Sequence, residues 1–363
     1  MSIKENSTKI VLQQPVIADY RMGIFMLLRE HWGPKFEVYA GDADFFGSPI
    51  STPAAWGHFK RVRNIYLFKN QFLWQYGSFL ALLSAEVAIL NANMRMLSNT
   101  VILVLRKMMG RRTILWGHAT GKNWWAVIIR QVYLRFCNRF ITYTESQAAY
   151  MRRRYPWLRV WVAANSCVSS VDCTPVIAEL NESDTFLYVG RLIEAKKVRL
   201  LLEGFTLAKS SGQLPERARL VFIGDGYERE FLEKNVKESG LGNVVQFTGH
   251  ISGVDQLRFY YRTSIFSVSP GYVGLSATQS FSFGIPMLIA KDEFHSPEIE
   301  ACKEGFNAEF FESDNAASLA RELSICWQNR EVWSARCEEI SRWTREHYSY
   351  EVMRDAFINA VEH

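Results

Sequence analysis

Two runs decide how this chain reads: Phe186-Leu-Tyr-Val-Gly-Arg-Leu192, with Lys196 and Lys197 just beyond, and Ser269-Pro-Gly-Tyr-Val-Gly-Leu-Ser276, followed by Gly284-Ile-Pro286. The first is an apolar strand pattern that ends in a basic turn ahead of a helix. The second is a strand end, a glycine loop and a helix start, with another strand after Pro286. In an open parallel sheet both turns fall at the carboxyl ends of strands, where such sheets bind ligands. Two cations on one turn and a glycine-rich helix start on the other suit a diphosphate.

Outward from these runs the chain alternates strand and helix. In the first half, strands read at Lys9–Val16, Phe36–Ala40, Asn64–Phe68, Glu86–Asn91, Arg112–Gly117, Arg139–Thr144 and Val160–Ala164. In the second half they read at Thr185–Leu192, Arg219–Gly224, Val244–Thr248, Ile265–Ser269 and Pro286–Ala290. Helical stretches separate most of them, and 46–63 reads as loop. This alternation predicts an α/β architecture of parallel sheets covered on both faces. The polar segment from Ser166 to Asn181 marks a boundary between a first domain, 1–177, and a second, 178–344. Beyond Asn315 the pattern is almost wholly helical, and a last helix within 345–363 is expected to cross back to the first domain. Gln71 to Leu90 is weakly charged but contains Gly77 and Glu86. It reads as a helix followed by a buried strand rather than a membrane span.

With 363 residues, 48% of them hydrophobic, the chain can bury two cores, which argues against disorder. Its six cysteines form no Cys-x-x-Cys pair, and no histidine spacing suggests zinc. They read as core thiols of a reducing compartment, and no metal is expected. No secretory signal pattern is visible. Residues 1–177 carry 22 Lys and Arg against 9 Asp and Glu, whereas 178–363 carry 20 against 28. A basic half joined to an acidic one predicts that the first meets something anionic: a phospholipid surface, a phosphorylated substrate or nucleic acid. No nucleic-acid-binding motif accompanies the charge, so no nucleic acid partner is expected.

Gly190-Arg191 ends a strand and Lys196 follows five positions later. A planar guanidinium and a compact ammonium together can hold a diphosphate and stabilise the charge that grows on it as a bond breaks. Taken alone, the pair would also fit a solvated helix start. Gly224-Asp-Gly226 and Phe247-Thr-Gly-His250 end further strands at the same sheet edge, and His250 is a candidate cleft residue. In the first half, Trp116-Gly-His-Ala-Thr-Gly-Lys122 ends a strand and puts His118 beside a glycine. Asp19 and Arg21 end the first strand. Glu293, His295, Glu298 and Glu300 crowd the segment after the last strand, but nothing sets a carboxylate pair across a cleft as glycoside hydrolysis needs. Between Lys107 and Arg154, arginines and lysines interleave with Trp124-Trp125, Ile128, Ile129 and Val132. That pattern fits either a monotopic contact with anionic lipid or a core-facing helix with a solvated basic side.

The order Val189-Gly-Arg-Leu192 with Lys196, Ile223-Gly-Asp-Gly226, Phe247-x-Gly249 and Gly284-x-Pro286 resembles the donor-binding half of family 4 glycosyltransferases, retaining enzymes of GT-B fold. The resemblance covers about 185–312 strongly. It covers the first half more weakly, through Trp116-Gly-His118, Tyr143-Thr-Glu-Ser146 and Asn165. It implies two Rossmann-like domains facing an interdomain cleft, with Arg191, Lys196 and His118 as the catalytic set. It also implies donor contacts at Gly190, Gly271, Gly274, Leu275, Ser276, Gln279 and Glu298; His250, by its place at the same sheet edge, joins the donor side, and Asp19 and Arg21, ending the first strand toward the cleft, are the candidate acceptor contacts. No metal or other cofactor is implied beyond the nucleotide-diphosphate sugar substrate.

One departure stands out. The family's two glutamates, eight positions apart, fall here at Gly271 and Gln279. A neutral amide can still accept from a hydroxyl, but glycine offers no carboxylate. Backbone amides of Gly271–Ser276 are the expected substitute.

The implied activity is transfer of a sugar, with anomeric configuration kept, to a hydroxyl of a lipid-linked saccharide in surface-polysaccharide assembly such as O-antigen, capsule or exopolysaccharide. Domain closure would exclude water. The expected partners are a nucleotide sugar, a lipid-linked saccharide acceptor and the anionic membrane surface, and the expected location is cytoplasmic, peripheral on the inner face of the cell membrane. A non-catalytic nucleotide-sugar-binding partner subunit, favoured by the missing glutamates, and a sugar-nucleotide epimerase of GT-B fold are the alternatives.

Overall fold

The computed structural model describes residues 8–43, 45, 59–119, 124–176, 183–251 and 253–363. The chain divides into two compact units, Met1–Cys167 with Tyr350–His363, and Val168–Ser349.

The first unit opens with β1 (Ile10–Val16), α1 (Met22–Trp32), β2 (Phe36–Gly41) and β3 (Phe59–Arg61). A hairpin of β4 (Arg63–Leu67) and β5 (Phe72–Tyr76) comes next, then α2 (Phe79–Ser84), β6 (Val87–Asn91) and α3 (Leu97–Met108). β7 (Arg112–Trp116), α4 (Trp124–Leu134), β8 (Arg139–Thr142), α5 (Glu145–Arg154) and β9 (Arg159–Val162) complete the alternation. The sheet is parallel, in the order β3-β2-β1-β6-β7-β8-β9. The direction of winding reverses between β1 and β6, so connections leave their carboxyl ends toward opposite edges and a crevice opens there. Val87 to Leu90 are fully buried because both sheet faces are covered. Ile10 and Leu12 pack into one core while Val11, pointing the other way, packs into a second.

Two local expectations give way here. Asn64–Phe68 supplies a strand, but in an antiparallel hairpin with β5 outside the main sheet. Gln71 to Leu90 begins with that second hairpin strand, before a short helix and β6. Leu73 and Gln75 turn inward at every second position, and Gln75 finds partners for its amide: Nε2 donates to the Gln14 carbonyl at 3.0 Å, and Oε1 accepts from Gln13. A period of two over five residues is too short to stand out inside an apolar run.

The second unit runs β10 (Thr185–Val189), α6 (Val198–Ser210), β11 (Arg219–Ile223), α7 (Arg229–Glu238), β12 (Val245–Gly249), α8 (Val254–Arg262) and β13 (Ser264–Ser269). α9 (Ser276–Ser282), β14 (Met287–Ala290) and β15 (Ala308–Phe311) follow, then α10 (Ala316–Gln328), α11 (Arg330–Ser334) and α12 (Cys337–Tyr348). Its parallel sheet has the order β12-β11-β10-β13-β14-β15, with the reversal between β10 and β13. β15 adds an edge strand absent from the sequence reading; four residues carry too little periodicity to announce it. Residues 168–176 belong to this unit, because the Val176 amide donates to the Phe283 carbonyl at 2.9 Å and Arg258 donates to the Thr174 carbonyl.

The last helix, α13 (Tyr350–Glu362), lies in the first unit and buries Met353, Phe357, Ala360 and Val361 in the core beside α1. Arg112 and Arg139 donate to the carbonyls of Val361 and Ala360, and Arg159 donates to that of His363. Three guanidiniums therefore satisfy the orphan acceptors of one helix end and oppose its negative dipole. Arg106 is fully buried and donates to the carbonyls of Leu82, Ala85 and Arg112 and to the Thr113 hydroxyl. Part of the first unit's basic excess is thus consumed inside the fold rather than offered to a partner. No helix of the described residues is long and apolar enough to cross a membrane.

Candidate functional site

Both decisive runs lie at the β10/β13 reversal. The strands β10, β11 and β12 end in glycines, and the exit loop of β11 runs against that of β10. A Cβ on Gly224 would stand 1.8 Å from the Gly190 carbonyl oxygen, and one on Gly226 would stand 2.2 Å from that of Leu192. The Gly224 amide donates to the Gly249 carbonyl, and the Leu192 amide to that of Asp225. The Tyr188 hydroxyl holds the Arg191 carbonyl at 2.8 Å. This backbone tie leaves the Arg191 side chain exposed on the basic turn.

Lys196 is half-buried and donates from Nζ to the Tyr272 carbonyl at 2.8 Å, so the basic turn and the glycine loop are bonded to each other. Burial, and then the Arg191 charge, lowers its pKa to about 8, although the buried Glu298 carboxylate opposes the shift. Lys197 takes no part in this cluster. It adopts a left-handed conformation ahead of α6 and pairs with Glu293 and Asp314.

Gly271 explains its own lack of a side chain: a Cβ there would lie 2.9 Å from the Ala195 carbonyl oxygen and from the Lys196 carbonyl carbon. The loop amides are not all open to a ligand, since that of Val273 donates to His295 Nδ1 at 3.1 Å. With Nδ1 accepting, the neutral ring carries its proton on Nε2, which is buried near the backbone of Ala290 and Lys291. Burial holds the pKa of His295 below the ordinary value. Gly274, Leu275 and Ser276 continue the loop into α9, where Gln279 is half-buried one turn from Ser276. His250 is exposed after β12, at the same edge.

The residues expected in the first half divide. Arg21 and His118 line one cavity of about 600 Å³ at the carboxyl ends of β1, β6 and β7, whereas Asp19 is exposed and does not line it. Arg21 donates to Gln14 Oε1 and to the Tyr143 hydroxyl, both at 3.1 Å, and lies 4.5 Å from the Trp116 ring centre. Arg130 donates to the His118 carbonyl at 2.6 Å. His118 is exposed, yet desolvation by the cavity wall, and then the charges of Arg21 and Arg130, hold its pKa below the usual histidine value. The expected lipid-facing helix, α4, exposes Ile128, Ile129 and Val132, while Arg154 of α5 donates to its Gln131. Trp124 and Trp125 have side chains outside the described set.

Sequence reading assigned no role to Tyr272, His295, Gln14 or Arg130. His295 was visible only as one polar residue among several, and Arg130 as one of a basic run. Their partners lie 22 residues away or more in the first case and 12 in the second.

Residues 175–343 match the family model of glycosyl transferases group 1. No curated protein matches the chain in sequence. Among solved structures, Anabaena Alr3699/HepE in complex with UDP is similar over 97% of this chain and 99% of its own, with TM-score 0.69 and 12% identity. The lipopolysaccharide outer core galactosyltransferase WaaB is similar over 97% and 98%, with TM-score 0.66 and 18% identity. A glycosyltransferase from Rickettsia africae is similar over 98% and 97%, with TM-score 0.70 and 12% identity. The fold is GT-B. Both decisive runs lie inside the region that matches the glycosyl transferases group 1.

Proposed function

We propose that the chain is a retaining, metal-independent glycosyltransferase that moves a sugar from a nucleotide-diphosphate donor to a hydroxyl of a lipid-linked saccharide. The observation that carries this reading is the bond from Lys196 to the glycine loop beside Arg191, at the β10/β13 reversal. Arg191 and Lys196 would bind the diphosphate and stabilise the charge left on it when the sugar departs. Gly190, Gly271, Gly274, Leu275, Ser276, Gln279, His250 and Glu298 are the proposed donor-side residues. His118 is the proposed catalytic residue of the first unit, with Arg21 binding acceptor. The family match over 175–343 and the GT-B neighbours support glycosyl transfer, and the UDP in one neighbour supports a nucleotide-sugar partner.

The exposed apolar face of α4, bordered by Arg154, supports a peripheral contact with anionic lipid on the cytoplasmic side, where a lipid-linked acceptor would be met. Assembly of a surface polysaccharide follows from this reading. The decisive experiment is a donor panel with a lipid-linked acceptor, the product anomer being assigned by NMR. Arg191→Ala should abolish transfer; undiminished transfer removes Arg191 from the mechanism. A second reading, a nucleotide-sugar binder without turnover, is favoured by Gly271, whose site has no room for a carboxylate-bearing side chain. Tight donor binding with no turnover on any acceptor would select it.

A further inference from the structure

The cavity of the first unit has an unbalanced lining. Arg21, Arg130 and His118 face it together with Gln14, Asn91 and Tyr143, and among the described residues no Asp or Glu lines it. The two guanidiniums enter the lining from different elements, Arg21 from the turn after β1 and Arg130 from α4, and His118 joins them from the turn after β7. Gln14 Oε1 is already used twice, accepting from Arg21 and from Asn91 Nδ2 at 3.0 Å. Its amide orientation is therefore set by those donors, and its own NH2 must face elsewhere. Trp116 and Tyr143 flank the Arg21 guanidinium, and bonds to Gln14 and Tyr143 hold it in place. Such a fixed fork is preorganised for an oxygen-rich anion.

We propose that this cavity is an oxyanion subsite that takes a carboxylate or phosphate group carried by the acceptor saccharide. The proposal rests on the transferase reading only for the word acceptor; the anion preference follows from the lining itself. Two guanidiniums and an imidazole, with no carboxylate opposite them among the described lining residues, favour an anionic group over a neutral sugar.

The test uses the full chain and three probes, glucuronate, glucose 6-phosphate and glucose, titrated by calorimetry, with the His118 ring resonance followed by NMR to locate binding. At least one acidic probe should bind about tenfold or more tightly than glucose, a difference of about 1.4 kcal/mol, and should shift His118. Which acidic probe wins separates a carboxylate source from a phosphate source. Arg21→Gln and, independently, Arg130→Gln should erase the preference, and Arg21→Lys should retain part of it. Equal binding of all three probes, no binding of the acidic ones, or an undiminished preference in both glutamine variants overturns the proposal. UDP binding, measured on the same samples, reports on the second unit and on folding. Loss of UDP binding in the unmodified chain together with a kept anion preference would sink the donor reading and leave this subsite standing.

Discussion

The Lys196 ammonium donates to the Tyr272 carbonyl at 2.8 Å and sits 3.5 Å from the centre of the Tyr272 ring. One residue thus supplies both a dipole and a π-face to a cation whose charge burial disfavours. Tyr272 follows Gly271, which packs on the backbone of Lys196 itself. The two loops form one object, and the cation is positioned before any ligand arrives.

Because the free Lys196 has a pKa of about 8, part of the population is neutral near that pH. A bound diphosphate favours the charged form, so binding takes up a proton above pH 8. UDP affinity should fall by up to about tenfold per pH unit as pH rises past 8. Calorimetry in buffers of different ionisation enthalpy measures the proton directly. Lys196→Arg should flatten the profile.

Gly271→Glu restores the carboxylate on paper but not in space. The new Cβ would meet the backbone of Ala195 and Lys196 at 2.9 Å. The Lys196 loop must shift, at a cost of about 1–3 kcal/mol, and UDP binding should weaken rather than improve. Thermal melts with UDP titration check both effects; tighter UDP binding would contradict the packing argument.

His118 and His295 both have folded pKa values below the free value of 6.5. For such a group the unfolded chain takes up the proton first as pH falls. The stability each contributes is present above pH 6.5 and is lost as pH falls through the folded pKa. Melting temperature should therefore drop between pH 7 and pH 5, and His295→Gln should reduce the drop. His295→Ala should also loosen the loop that holds Val273, weakening binding of the nucleotide sugar more than that of UDP.

The face of α4 with Ile128, Ile129 and Val132 should bind anionic vesicles. Sedimentation with phosphatidylglycerol vesicles should show binding that weakens with salt and that Ile128→Asp with Val132→Asp reduces by about tenfold. Equal partition of the unmodified chain onto neutral vesicles would argue against the electrostatic part.

Phe357 is fully buried and packs edge-on to Trp116 at 4.8 Å. Phe357→Ala should cost the first unit about 3–5 kcal/mol by urea denaturation. The tail helix is thereby tested as part of the first unit's core.

The alternation of strand and helix was legible because apolar strands and amphipathic helices repeat over short distances. Gly190, Gly224 and Gly249 were legible as strand ends, since close backbone approach at Gly224 and a left-handed backbone at Gly249 select glycine at fixed places. β5 and β15 were not, because five and four residues carry almost no period. The meeting of Arg21 with His118 was partly legible from two separate strand ends. Arg130 and Gln14 were not, because a side chain's direction in a pocket has no local signature.

By itself, the sequence determined most of the strands and helices and which turns carry Arg191 and Lys196. It also showed that the first half is the basic one. Only the tertiary structure decided which of those cations are spent on helix carbonyls, which lose their water, and which converge on a cavity. Burial and distance are set by packing between residues far apart in the chain. Arg112 meets Val361 and Arg139 meets Ala360 across more than 200 residues, and no spacing rule spans that interval.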